Sequence, residues 1–184
     1  MRIIGGTYRG KKLFTPQDAQ TRPTSDRVRE AIFNVLESSM PVPFSEMSVL
    51  DLFSGTGALG IEALSRKAKS VLFVENHPEA LHVLEKNTAQ FKGVEILKKD
   101  ATTFLLPQKK CFDLVFMDPP YGKDLIPKAL NHLYEKEYIH PHTWVVCELG
   151  KKEEVPIPNE YHLSKKKVYG KTQVLFISLN KDIS

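Results

Sequence analysis

The stretch that most constrains this fold is Val49-Leu50-Asp51-Leu52-Phe53-Ser54-Gly55-Thr56-Gly57-Ala58-Leu59-Gly60. Its apolar start reads as a buried strand carrying a carboxylate, Asp51, at its end. A glycine-rich turn follows and opens directly into a helical pattern through Ile61, Ala63 and Leu64. Strand, tight loop and helix N-terminus in that order let main chain come close to a bound cofactor.

From residue 47 onward, strand-like runs alternate with helical periodicity. Strands are expected over 48–52, 70–75, 94–98, 112–117 and 143–149. Helices are expected over 57–67, 77–91 and 124–136, with a short, ill-defined segment near 101–105. This alternation implies βαβ units and a mostly parallel sheet covered on both faces. Residues 161–169 and 172–179 break the rhythm as two strands joined around Gly170, so a seven-stranded sheet should end in an antiparallel hairpin.

Ahead of this pattern, residues 2–14 read as a small β-hairpin in which Gly5-Gly6 supply the positive φ of a tight turn. Pro16 and Pro23 punctuate a loop over 15–23. Thr24, Ser25 or Asp26 then caps a helix whose stripe is Val28, Ala31, Ile32, Val35 and Leu36. The opposite face carries Arg27, Arg29, Glu30, Asn34 and Glu37, and Pro41 and Pro43 end the helix. The fold class is therefore α/β and Rossmann-like, with a hairpin-and-helix extension over 1–43 and the main domain over 44–184.

A chain of 184 residues suits one such domain with a small appendage. No apolar run reaches the roughly 18 to 20 residues that span a membrane, and the N-terminus lacks an apolar signal core. Two cysteines, Cys111 and Cys147, outside any CxxC pair, fit free thiols in a reducing cytoplasm. The histidines show no metal-ligand spacing, so no metal is expected. The net charge of +4 is mild, but Arg2, Arg9, Lys11, Arg22 and Arg27 gather near the N-terminus and read as phosphate contacts. Lys165 to Lys167 form a second basic run that reads as a solvated face.

Gly55, Gly57 and Gly60 spell G-x-G-x-x-G, a pattern shared by NAD(P) enzymes and methyltransferases. Glu75 lies twenty residues past Gly55, where a ribose-binding carboxylate sits at the tip of the second strand. A dinucleotide would place its pyrophosphate at the helix N-terminus, and a carboxylate just upstream repels it. S-adenosylmethionine has no phosphate and carries a cationic sulfonium and an ammonium, so Asp51 favours it. The expected cofactor residues are Asp51, Phe53, Ser54, Gly55, Gly57, Glu75 and Asn76. Asp51-x-Phe53-x-Gly55-x-Gly57 resembles motif I of the class I methyltransferases. On that resemblance, Asp100-Ala101 falls where the adenine is contacted.

Phe112 to Met117 is an apolar strand that delivers Asp118-Pro119-Pro120-Tyr121 at its carboxyl end, the ligand side of an open α/β sheet. The tetrapeptide resembles motif IV of methyltransferases that act on planar amines. Such a nitrogen is a poor nucleophile because its lone pair is delocalised. Hydrogen bonds from the amine to the Asp118 carboxylate and the Pro119 carbonyl would hold it, two prolines would stiffen the turn, and Tyr121 would stack on the base. Direct displacement from the cofactor methyl then depends chiefly on positioning.

Arg2-Ile3-Ile4-Gly5-Gly6-x-x-Arg9-Gly10-Lys11-x-Leu13 and Arg22-Pro23-Thr24-x-Asp26-Arg27-Val28-Arg29-Glu30 extend the likeness. With Asp51 to Arg66, Asp118 to Tyr121 and Tyr169-Gly170, they make the chain resemble the RsmD family nearly end to end. These are bacterial methyltransferases of the exocyclic N2 amine of a guanine in 16S ribosomal RNA. The resemblance implies S-adenosylmethionine as donor, S-adenosylhomocysteine as product, ribosomal RNA or an assembling small subunit as partner, and an N-terminal extension that helps hold the substrate. A cytoplasmic monomer without membrane attachment is expected. The alternatives are another planar amine in RNA, DNA or a protein glutamine, an RNA-binding protein without activity, and an NAD-dependent oxidoreductase.

Overall fold

A computed structural model describes residues 1–15, 25–120 and 124–180. Arg22 and Tyr121 therefore lie outside the described residues. After helix α1 (Asp26–Ser39) and a short 3-10 turn (Phe44–Glu46) come β1 (Ser48–Leu52), α2 (Ala58–Ser65), β2 (Ser70–Glu75), α3 (Pro78–Thr88) and β3 (Val94–Lys98). There follow β4 (Phe112–Met117), α4 (Leu125–Glu135), β5 (Ile139–Gly150), β6 (Tyr161–Tyr169) and β7 (Thr172–Leu179). The seven strands lie in the order β3-β2-β1-β4-β5-β7-β6. All pairings are parallel until β5–β7 and β6–β7, which are antiparallel. This is the Rossmann-like sheet with a closing hairpin that the alternation implied.

Period-two alternation splits the core between the two faces of the sheet. Val49, Phe73, Leu114, Phe116 and Phe176 meet Ile32, Phe33 and Leu36 of α1, Ile61 of α2 and Leu84 of α3. Leu50, Leu52, Val115, Met117 and Cys147 face the other way, onto Ile126, Ala129, Leu130 and Leu133 of α4. Ile3 and Leu13 belong to the first cluster, so the N-terminal segment shares a core with the sheet.

Three expectations change in detail. The 2–14 hairpin forms, with Ile3 N–H on Lys11 O at 2.9 Å, Gly10 N–H on Ile3 O at 2.8 Å and Leu13 N–H on Met1 O at 3.1 Å, but its arms are irregular and make one antiparallel bridge, Arg2 to Lys12. Its backbone is also held by α2. Ile4 and Gly5 N–H donate to the Glu62 carboxylate at 2.8 and 2.7 Å, and Thr7 N–H donates to Ser65 O at 2.7 Å. A Cβ on Gly6 would stand 1.9 Å from Ser65 O, so that glycine is required by close approach to α2 as well as by its φ of 72°. Secondly, the buried stripe of α1 is Val28, Arg29, Ile32, Phe33 and Leu36, which moves Arg29 from the solvent face to the core. Thirdly, β5 begins at Ile139 rather than 143, so His140 and Pro141 lie in an irregular strand instead of a loop. Thr143 Oγ1 bridges that irregularity, accepting from His140 N–H at 2.9 Å and donating to Phe112 O at 2.6 Å.

Candidate functional site

β1 and β4 are sheet neighbours, and the connections leave them in opposite directions, toward β2 and toward β5. In open α/β sheets such a reversal is the topological switch point, where a crevice at the carboxyl ends of the two strands binds ligands. The register pairs Leu52 with Met117, so Phe53 and Asp118 start the two loops side by side. Two motifs far apart in sequence thus share one crevice.

The loop after β1 is tightly wound. Phe53, Gly55 and Gly57 have φ of 56°, 54° and 78°, and the non-glycine Phe53 bears a cost of roughly 1 kcal/mol there. Ser54 locks the turn from within. Its hydroxyl donates to Asp51 O at 2.6 Å, its N–H donates to Val74 O at 3.2 Å, and its carbonyl accepts Gly57 N–H at 2.7 Å. Glu75, 9 % exposed at the end of β2, accepts Gly55 N–H at 2.9 Å on Oε2 and the N–H groups of Asn76 and His77, each at 2.9 Å, on Oε1. A carboxylate offers about four acceptor positions, so one remains for a ligand hydroxyl.

The three glycines of the motif have different reasons. A Cβ on Gly57 would meet Leu84 Cδ1 at 2.5 Å, and one on Gly60 would meet Phe73 Cε1 at 2.4 Å. Both let α2 lie close on β2 and α3. At Gly55 the nearest atom would be Phe53 O at 3.9 Å, so only Gly55 fronts open space. That space, two acidic side chains at the strand ends and the lack of a basic group in the loop suit a cationic, phosphate-free cofactor.

Asp51 is 2 % exposed and turned toward α2, where Oδ2 accepts Gly60 N–H at 2.9 Å. It satisfies one of the N-terminal amides that a helix leaves unbonded. Its sequence position at the strand end suggests exposure at the mouth, but the alternation of β1 puts its carboxylate beneath the helix. Burial pushes its pKa up to about 8, with Glu75 adding to the rise and the Gly60 bond opposing it.

Asp118 is half-buried at the end of β4, followed by buried Pro119 and exposed Pro120. Asn76 is exposed beside Glu75. Asp100 lies past β3, and its carboxylate accepts both Thr102 N–H at 2.7 Å and the Thr102 hydroxyl at 2.5 Å, a local turn that holds its pKa below the usual value. Ala101 is buried in the second core cluster. Among the described residues, no group of three His, Cys, Asp or Glu is placed to hold a metal ion, and no helix is long and apolar enough to cross a membrane.

Arg2, Arg9, Lys11 and Arg27 are all exposed, and Arg2 pairs with Asp26 at 3.2 Å. Arg29, read as a surface cation, is 1 % exposed and donates to Arg2 O at 2.6 Å and Asp26 Oδ1 at 2.8 Å. Burial pulls its pKa down, against the acids Asp26, Glu62 and Glu148. The sequence reading missed two further organising residues. Glu62 carries the N-terminal segment, and Asn87 joins that segment to the glycine loop. Their only sequence signal is a polar side chain on a packed helix face.

A family model described as "Conserved hypothetical protein 95" matches residues 1–178. The chain is 37 % identical to Ribosomal RNA small subunit methyltransferase D of Haemophilus influenzae over 92 % of its own length and 89 % of that protein's. It is 35 % identical to the Escherichia coli K12 protein of the same name, covering 92 % of this chain and 85 % of the relative. The solved structure of a putative methyltransferase from Escherichia coli superposes with a TM-score of 0.83 at 30 % identity, covering 99 % of both chains. The match takes in the N-terminal segment as well as both crevice loops, and on that ground the chain belongs to the RsmD family of methyltransferases.

Proposed function

We propose that this methyltransferase transfers a methyl group from S-adenosylmethionine to the exocyclic N2 amine of a guanine in small-subunit (16S) ribosomal RNA. The observation that carries the reading is the side-by-side start of the two loops at the switch point, with Gly55 and Glu75 on one side and Asp118-Pro119 on the other. The names of the relatives support RNA as the substrate.

When bound, S-adenosylmethionine supplies an electrophilic methyl on a sulfonium. Glu75 would orient the ribose through its remaining acceptor position, and Gly55 leaves room for close approach. Asp51, held under α2, would favour the cationic donor electrostatically when ionised. Asn76 would flank the ribose, while Asp100 and Ala101 would border the adenine. Asp118 and the Pro119 carbonyl would accept hydrogen bonds from the amine and aim its nitrogen at the methyl, with Pro120 fixing the turn and Tyr121 stacking on the base. Arg2, Arg9, Lys11, Arg22 and Arg27, within the 1–43 extension, would contact RNA phosphates. The protein is proposed to act as a monomer in the cytoplasm.

Asp118→Ala tests the reading. Transfer to ribosomal RNA should fall by roughly 10² or more, the scale of losing one positioned polar group, while S-adenosylhomocysteine binding survives. Near-normal transfer would contradict the role given to Asp118.

A further inference from the structure

Asn87 stands outside the crevice, on the last full turn of α3, and is 3 % exposed. Its amide makes three hydrogen bonds to main chain that is distant in sequence. Phe14 N–H donates to Oδ1 at 2.8 Å, and Nδ2 donates to Phe14 O at 3.0 Å and to Thr56 O at 2.9 Å. One side chain therefore takes both backbone groups of Phe14 and, with its second amide hydrogen, the carbonyl in the middle of the glycine loop.

The two ends of this clamp belong to different tasks. Thr56 lies between Gly55, whose N–H is held by Glu75, and Gly57, which starts α2. Fixing the Thr56 carbonyl fixes the peptide that sets the left-handed turn at Gly57. Phe14 lies near the end of the basic N-terminal segment and is 63 % exposed, with the Lys86 ammonium 6.0 Å from its ring centroid. An exposed aromatic beside a cation is the kind of surface on which an unpaired base stacks. Phe14 is mostly exposed, and the Asn87 amide holds both of its backbone groups. The same side chain thus holds both the glycine loop and the N-terminal segment.

We propose that Asn87 is a positioning residue that couples the cofactor loop to the N-terminal segment, so that S-adenosylhomocysteine and RNA bind with positive linkage. The inference rests on the proposed function and adds a device to it. Ligand-induced ordering at one end lessens the ordering left for the other, and the linkage is reciprocal.

The test measures the dissociation constant of a small-subunit ribosomal RNA transcript with and without saturating S-adenosylhomocysteine, using the full chain. The wild type should bind RNA at least about fivefold more tightly with the cofactor product present, and Asn87→Ala should bring that ratio to within about twofold of unity. A second pair works from the other end of the clamp and guards against misfolding at the buried site. Phe14→Pro removes the N–H that Asn87 accepts, and should lose the coupling. Phe14→Ala keeps both backbone groups and should retain it, whatever it costs in RNA affinity. A merely structural Asn87 would lower the melting temperature and leave the ratio untouched. Coupling that survives in both Asn87→Ala and Phe14→Pro overturns the inference, as does a wild type that binds both ligands without linkage. A wild type that binds neither ligand overturns the functional reading itself.

Discussion

The chain is stiffened by different means after β1 and immediately after β4. After β1, charged and polar side chains capture main-chain groups: Glu75 takes three N–H groups, Asp51 takes one, and Ser54 closes the turn. After β4, Pro119 and Pro120 restrict the backbone directly behind Asp118. A loop held by carboxylates depends on its neighbours and on pH. Adjacent prolines carry a restricted backbone shape in the sequence itself. The first is thus expected to be sensitive in stability, the second in chemistry.

The sharpest way to break this contrast is Glu75→Ala. It would leave three part-buried backbone N–H groups without their shared acceptor, each costing about 1–3 kcal/mol if water does not replace the carboxylate. Thermal unfolding should show a loss of at least about 3 kcal/mol. A variant as stable as the wild type would mean that the loop holds itself. Gly60→Ala comes next. Overpacking against Phe73 and Val71 should destabilise by about 1–3 kcal/mol and leave the product affinity of the folded protein nearly unchanged, as calorimetric titration would report.

The pH dependence is a finer probe. The folded pKa of Asp51, about 8, lies above its unfolded value near 3.8. Its contribution to stability is therefore fully present below the unfolded value and is lost as pH rises through the window up to about 8. Denaturant titrations across that window should show the decline, and Asp51→Asn should flatten it. A wild-type profile identical to that of the variant would remove the buried acid from the account. The smallest effect belongs to the surface. Arg9→Ala or Arg27→Ala should weaken RNA binding modestly and reduce the salt slope by about 1. An unchanged slope would deny them phosphate contacts.

Much of the fold was legible because its signals are local. The alternation of periods placed every strand of the sheet, and the two motifs fell at strand ends that the right-handed crossover rule brings to one edge. What escaped was pairing across long separations. Arg29 looks like a surface cation until Arg2 O and Asp26 close over it. Asn87 looks like an ordinary helix polar residue, although its partners lie 73 and 31 positions away. Gly60 fits a cofactor motif by spacing, and yet the group it accommodates is the ring of Phe73. Asp51 was placed correctly on its strand, but only the pleat shows that its carboxylate turns under α2.

The central claim is that these two loops deliver a methyl group to a guanine amine. The most direct measurement incubates the purified protein with S-adenosylmethionine and small-subunit ribosomal RNA or subunits, then analyses the digested nucleosides by mass spectrometry. The account predicts N2-methylguanosine at a single guanine, abolished in Asp118→Ala. Methylation of a ring carbon, a ribose or protein alone would contradict it.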